Sequence, residues 1–163
     1  MKKLLIPIIG ILTLSTMSMT EGLSYLFNAD EVNCMAKNIY FEARNESTAG
    51  KIATSMVVLN RVKSKNFPND VCAVVTDSIK YSNGFPKRDR CQFSWYCDGK
   101  SDIPHNEKSW AKSVTLSRFI IGSNSFLPDI TDGSLYYHGD YVNPYWSKRK
   151  KKTLQIDTHI FYK

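Results

Sequence analysis

The four cysteines constrain this chain more than any other feature. Cys34, Cys72, Cys91 and Cys97 are separated by 38, 19 and 6 positions, and what they imply depends on where the chain folds. Met1-Lys2-Lys3 supplies a positive start, Leu4 to Met17 is mostly apolar, and Ser18-Met19-Thr20 is a small polar run where cleavage would fall. That is the layout of an export segment. Its apolar part is shorter than the roughly 20 residues a membrane-spanning helix needs, and Pro7 and Gly10 weaken it further. Residues 1–20 are therefore read as a signal peptide. A membrane tether is the alternative, because Ser18 and Thr20 stand where Ala is usual. In an exported domain an even number of cysteines implies disulfides. Four cysteines allow three pairings, of which Cys91 with Cys97, closing a small loop, and Cys34 with Cys72, tying an early helix to a later segment, are favoured. Zinc thiolate ligation competes, but the spacing contains no CxxC pair.

Beyond the leader, residues 28–163 read as one domain. The 163-residue chain is 42% hydrophobic and 23% charged, enough apolar material for a full core and too much for a disordered tail. There is no internal repeat and no Gly-rich phosphate loop, which removes solenoids and nucleoside triphosphate chemistry. Net charge is +7, and removing Lys2 and Lys3 with the leader lowers it by two to +5. A basic surface favours anionic partners, and export makes nucleic acid the least suitable of them. The run Lys148-Arg-Lys-Lys-Lys152 reads as a solvated turn, or as a patch drawn electrostatically to anionic wall or membrane surface.

Apolar residues at Val32, Met35, Ala36, Ile39 and Ala43 mark one face of a helix capped by Asn28 or Asp30. A second helix starts near Ser47 with a strongly apolar face from Ala49 to Val62 and ends before Phe67-Pro68. Val71 to Val75 fits helix or strand equally. Lys80 to Asp102, rich in Ser, Asn, Gly, Pro and charge, is expected as a long loop. A third long helix runs from Glu107 to Ile121, with Trp110, Val114, Ser117 or Arg118 and Ile121 in register and Gly122 as its stop. Short segments near Ser134–His138, Tyr141–Trp146 and Thr158–Tyr162 suggest a small hairpin or sheet, with Ser147–Lys152 as its exposed turn.

The first helix ends Asn38-Ile-Tyr-Phe-Glu-Ala-Arg-Asn-Glu46. On an ideal helix Glu42 lies about 75° from the centre of the apolar stripe, and Glu46 about 35° from it if the helix reaches that far. A carboxylate leaning toward the core must be paired or partly protonated, and partial protonation is what a general acid needs. An ordinary ion pair with Arg44 is the alternative role.

The run from Asn38 to Glu46, then Gly50, Val57-Val-Leu-Asn-Arg-Val62, Phe67-Pro68, Val71-Cys72, Cys91-Gln-Phe-Ser-Trp95 and Cys97-Asp-Gly99 resembles the cell wall hydrolase family typified by spore cortex-lytic enzymes. Tyr136-Tyr-His-Gly-Asp-Tyr-Val-Asn-Pro-Tyr-Trp146 and His159-Ile-Phe-Tyr162 match its C-terminal pattern, so the resemblance covers about residues 31–163. Asn45 departs from it, standing where the family usually has a Gly suited to positive φ. The resemblance implies a disulfide-stapled, mostly helical lysozyme-like α+β domain with a small sheet near the C-terminus. It also implies cleavage of the bond between N-acetylmuramic acid and N-acetylglucosamine in peptidoglycan, with Glu42 as acid/base. A lytic transglycosylase needs that carboxyl alone, whereas a hydrolase needs a partner, for which Glu46, Asp98 and Asp140 are candidates.

By the same resemblance Gln92, Ser94, Trp95, Tyr137, His138, Tyr141 and Trp146 bind the sugar, since pyranose faces are apolar and their edges polar. Tyr137 or Tyr141 is expected to reach the N-acetyl group or the catalytic Glu. Phe93, Trp110 and Phe161 fit the core better. His105, His138 and His159 form no local ligand pair, so His105 reads as solvated and His159 as structural, and no metal or cofactor is expected. A zinc amidase or endopeptidase cutting the stem peptide, and a non-catalytic wall-binding protein, are the competing functions. A monomer is expected, acting either on its own cell's wall or as a phage lysis protein.

Overall fold

The computed structural model describes residues 28–163, so the export reading of residues 1–20 lies outside the described residues. Helix α1 spans Ala29–Ala43, and Asn28 caps it by accepting from the Asp30 and Glu31 amides. Asp30 and Glu31 also place negative charge at the positive end of the helix dipole. Its buried face holds Val32, Met35, Ala36, Ile39 and Ala43, as the spacing predicts, and also Asn38 and Tyr40, which the spacing does not include. Helix α2, Thr48–Lys63, begins at a Ser47 cap whose hydroxyl accepts from the Gly50 amide. Between the two helices lies only the turn 44–47. Because α1 stops at Ala43, Glu46 sits in that turn and not on the helical stripe projected for it.

Val71–Val75 is a short helix, α3, capped by Asp70. The Cys34–Cys72 disulfide joins it to α1 and Cys91–Cys97 closes the smaller loop, both as favoured from the sequence. Helix α4 runs Glu107–Ser123 and packs on α1. Gly122 lies inside it, not at its stop. Its buried positions are Ser113, Ser117 and Ile120, a stripe offset from the expected one, with Trp110 only half-buried. Small serines let two helices approach closely, and the Ser117 hydroxyl donates to the Val32 carbonyl at 2.7 Å.

The segment 80–102 is not a plain loop. Strands β1 (Ser78–Lys80) and β2 (Pro86–Cys91) form an antiparallel hairpin, and a 3-10 turn comes after it at Ser94–Tyr96. β2 reads Pro-Lys-Arg-Asp-Arg-Cys, with none of its residues fully buried, so no apolar alternation announces it. The C-terminal sheet has three antiparallel strands in the order β3 (Tyr136–Gly139), β5 (His159–Tyr162), β4 (Lys152–Ile156). The basic run is not the hairpin's turn: Tyr145–Arg149 forms a 3-10 turn, Lys152 enters β4, and the β4–β5 turn falls at Asp157-Thr158, where Asp157 has φ 50°. Asn45 does not take positive φ; besides glycines, only Asp89, Asp132 and Asp157 do among the described residues.

Met35, Ile39, Val58, Leu59, Val74, Val75, Phe93 and Ile120 form the core between the helices, and Phe161 of β5 packs on Ala53 and Val57 of α2. Each fully buried side chain of this size contributes about 1.5–3 kcal/mol before entropy is charged against it. This packing fixes the end of α1 against β3 and β5, and a groove opens where they meet.

Candidate active site

Glu42 occupies the last turn of α1, with Tyr137 of β3 facing it. The Tyr137 hydroxyl donates to Glu42 Oε2 at 3.1 Å. Burial raises the Glu42 pKa above the ordinary carboxylate range, while the Tyr137 hydrogen bond and the positive charge of Arg61 pull against that rise. Burial and the neighbouring Glu42 push the Tyr137 hydroxyl well above its usual value, so it stays protonated and remains a donor.

Arg61 of α2 lies in the Val57–Val62 motif run, but the motif alone assigns it no role in the site. It is 5% exposed, Nε donates to the Leu135 carbonyl at 2.8 Å, and its guanidinium lies 5.0 Å from the Phe67 and Phe93 ring centroids. Burial lowers its pKa, opposed by Tyr137, Tyr136, Asp77 and Glu42. A charged residue inside the apolar face Leu59 to Val62 is the available signal. Its neighbour Asn60 holds the 129–134 loop by donating to Asp129 at 2.8 Å and to the Ser134 carbonyl at 3.2 Å.

Around Glu42 the surface opens into a two-lobed groove. The first lobe, about 660 Å³, includes Phe41, Glu42, Ser94, Trp95, Asp98 and Tyr141 in its lining. The second, about 560 Å³, includes Ser78, Ile79, Arg90, Tyr136 and Trp146. Arg61, Gln92, Tyr137 and His138 line both. The residues expected to bind sugar are thus brought together, but in different states. Gln92, Ser94 and Tyr141 are exposed, and Tyr141 lies over Gly139, where a Cβ would come within 2.6 Å of its ring carbon Cζ. Trp95 is 7% exposed, stacks on Phe41 at 5.2 Å and donates Nε1–H to Asn38 Oδ1 at 3.1 Å, so most of it belongs to the core beneath the groove. His138 has both ring nitrogens engaged, with the Gly139 carbonyl and the Tyr162 hydroxyl, each at 2.9 Å.

The other carboxylates differ from Glu42. Glu46 accepts from the Thr158 hydroxyl at 2.7 Å and from its amide at 3.2 Å, and its carboxylate lies 4.0 Å from His159 Nδ1. Ser47 N donates to Asp157 at 2.8 Å. These contacts clasp the α1–α2 turn to the β4–β5 turn. His159 meets the Tyr137 ring edge-on at 5.0 Å, linking the clasp to the partner of Glu42. His159 is buried, which lowers its pKa, and Nδ1 has no hydrogen-bond partner. Asp98 lines the first lobe and accepts from the Lys100 amide at 2.8 Å. Asp140 is exposed. Among the described residues no group of three or more His, Cys, Asp or Glu converges on a common point, and all four cysteines are paired.

The chain resembles known proteins over most of its length. It is 30% identical over 138 residues to a spore cortex-lytic enzyme of Bacillus cereus, covering 84% of this chain and 46% of that one. To the Bacillus subtilis spore cortex-lytic enzyme it is 26% identical over 135 residues, 83% of this chain and 38% of the relative. It therefore spans less than half the length of these curated relatives. Solved structures match it more completely. The catalytic domain of Bacillus cereus SleB superimposes with a TM-score of 0.57 at 29% identity, covering 84% of this chain and 92% of that domain. The catalytic domain of the germination-specific lytic transglycosylase SleB from Bacillus anthracis gives 0.59 at 29% identity, covering 84% and 97%. The family described as Cell Wall Hydrolase matches residues 45–162, and with more than half of its length inside that match, the chain belongs to the cell wall hydrolase family.

Proposed function

We propose that this chain cleaves the glycan strands of peptidoglycan between N-acetylmuramic acid and N-acetylglucosamine, acting as a lytic transglycosylase with Glu42 as its single acid/base. The observation that carries the reading is Glu42 itself, its pKa raised by burial, at the floor of a groove with a tyrosine hydroxyl aimed at its carboxyl. The protonated carboxyl gives its proton to the glycosidic oxygen as the bond from that oxygen to the muramoyl anomeric carbon breaks. The resulting carboxylate, steadied by Tyr137 and Arg61, takes the proton of the muramoyl 6-hydroxyl, whose oxygen closes on the anomeric carbon. A 1,6-anhydro-muramoyl end and a free N-acetylglucosamine 4-hydroxyl result, and no water is consumed. The Bacillus anthracis neighbour, a lytic transglycosylase, supports the same reaction type. Export of the chain belongs to this reading, since both its substrate and the conditions that favour disulfides lie outside the cytoplasm. Incubating the purified chain with peptidoglycan tests the function. New glycan ends support it, whereas free stem peptides without glycan cleavage support an amidase or endopeptidase instead.

In this reading Glu46 does not touch the substrate. It positions Glu42 through Thr158, His159 and Tyr137. Glu46→Gln keeps an acceptor for the Thr158 hydroxyl and is expected to retain activity within about tenfold of the parent, while Glu46→Ala frees the β4–β5 turn and loses more. Steady-state kinetics on soluble glycan strands check this, and inactivity of Glu46→Gln comparable to that of Glu42→Gln contradicts it.

The pH profile gives a separate check. The acid form of Glu42 is required in the free enzyme, so kcat/KM falls on the alkaline side as Glu42 ionises. The Tyr137 bond lowers the Glu42 pKa. Tyr137→Phe removes that effect, so the alkaline limb is expected to move to higher pH while kcat drops. An unmoved limb contradicts the role given to Tyr137.

A further inference from the structure

Resting on the glycan-cleaving reading, we infer that the second lobe of the groove is a subsite for the stem peptide carried by the muramoyl residue, recognised through a peptide carboxylate by Arg61 and Arg90. Three observations lead there. First, Arg61 is a guanidinium only 5% exposed, with Nη1 lacking any hydrogen-bond partner, and among the described residues it forms no salt bridge. A buried cation without a paired anion is costly, and this one lines the junction of the two lobes.

Second, Arg90 of β2 lines the same lobe from the exposed hairpin side. The lobe also holds Asp77, so its charge is two guanidinium groups against one carboxylate. Lys150, whose Nζ is 3.4 Å from the Tyr136 ring centroid, adds positive charge at a lining residue. A planar guanidinium matches a carboxylate in two-point geometry, and the Tyr136 and Trp146 faces suit the aliphatic part of a peptide.

Third, the lobe continues from the catalytic lobe through shared wall residues. A muramoyl unit bound with its glycosidic oxygen at Glu42 carries a lactyl ether on the same ring, and the peptide attached there must leave the sugar sideways. The adjoining lobe offers about 560 Å³ for it. The peptide is the anionic substituent of an otherwise neutral glycan, which is the chemistry that a basic lobe beside a sugar groove would select.

The test compares two substrates: soluble glycan strands with intact stem peptides, and the same strands stripped of peptide by a muramoyl-alanine amidase. Cleavage is read as new glycan ends by mass spectrometry. The full chain is expected to prefer peptide-bearing strands by about tenfold or more in kcat/KM, chiefly through KM. Arg90→Ala, a change at an exposed position, is expected to compress that ratio toward one, as is raising the salt concentration. Arg61→Lys, which keeps the charge but loses the two-point geometry, is expected to lower the ratio as well. Equal cleavage of both substrates, or a preference for stripped strands, overturns the inference while leaving the glycan-cleaving reading intact. A peptide preference that neither variant changes overturns its assignment to this lobe. Cleavage of neither substrate overturns the functional reading itself.

Discussion

Replacing Glu42 with Gln is expected to lower the rate of peptidoglycan cleavage by at least about a thousandfold, within the range for general acid–base groups. The size reflects the double use of one carboxyl. In the proposed reaction it gives a proton to the leaving oxygen and then takes one from the 6-hydroxyl, so the amide would disable both halves. A thousandfold loss corresponds to about 4 kcal/mol of transition-state stabilisation. Stability should scarcely change. Gln has nearly the shape of the protonated carboxyl that burial favours at this position, and its amide oxygen still accepts from Tyr137. A melting curve coincident with the parent's, beside the lost activity, separates chemistry from unfolding. Glu42→Gln activity within about tenfold of the parent would transfer the catalytic role elsewhere.

The second large effect is structural. Removing the Cys34–Cys72 disulfide with paired serine substitutions is expected to destabilise the domain by about 4 kcal/mol, from loop closure across its 38-residue separation. For a domain of this size that is a fall of roughly 10–20 °C in Tm. The Cys91–Cys97 pair, separated by 6 positions, closes a far smaller loop and is expected to contribute about 2 kcal/mol. Thermal unfolding of the two double variants, monitored by circular dichroism, checks the order. The reverse order would mean that the 91–97 loop holds native structure well beyond its own closure. The first bridge also has a functional reach: it ties α1, which carries Glu42, to α3, so a reduced protein should lose activity before it fully unfolds.

Much of the fold is legible in the sequence because it is local. The caps at Asn28 and Ser47, the apolar faces of α1 and α2 and the cysteine spacing all act over a few residues or through simple arithmetic. Glu42 is legible for the same reason, in the last turn of an amphipathic helix. What the sequence hides depends on contacts between distant segments. The strand β2 is held by pairing with β1 and not by burial of an apolar face, so its charged residues read as loop. Glu46 projects onto a helical stripe that the chain never forms, because the α1–α2 turn is clasped by Asp157 and Thr158, more than a hundred positions away. Trp95 sits in a motif that marks the groove, yet its indole finds Asn38 and Phe41 and turns most of its surface inward. Arg61 stands in the Val57–Val62 motif run, yet its role rests on lacking an ion-pair partner, a property only the assembled site reveals.

The proposed reaction depends on one half-buried carboxyl performing an intramolecular ring closure without a second catalytic group. Digesting purified peptidoglycan with the wild-type chain and determining the masses of the muropeptides tests it most directly. Glycan ends carrying 1,6-anhydro-muramic acid are expected, and are expected to be absent from a parallel digest with Glu42→Gln. Muramoyl ends heavier by one water, as reducing sugars, would contradict it and turn attention to Asp98 or Glu46 as the partner that a hydrolase requires.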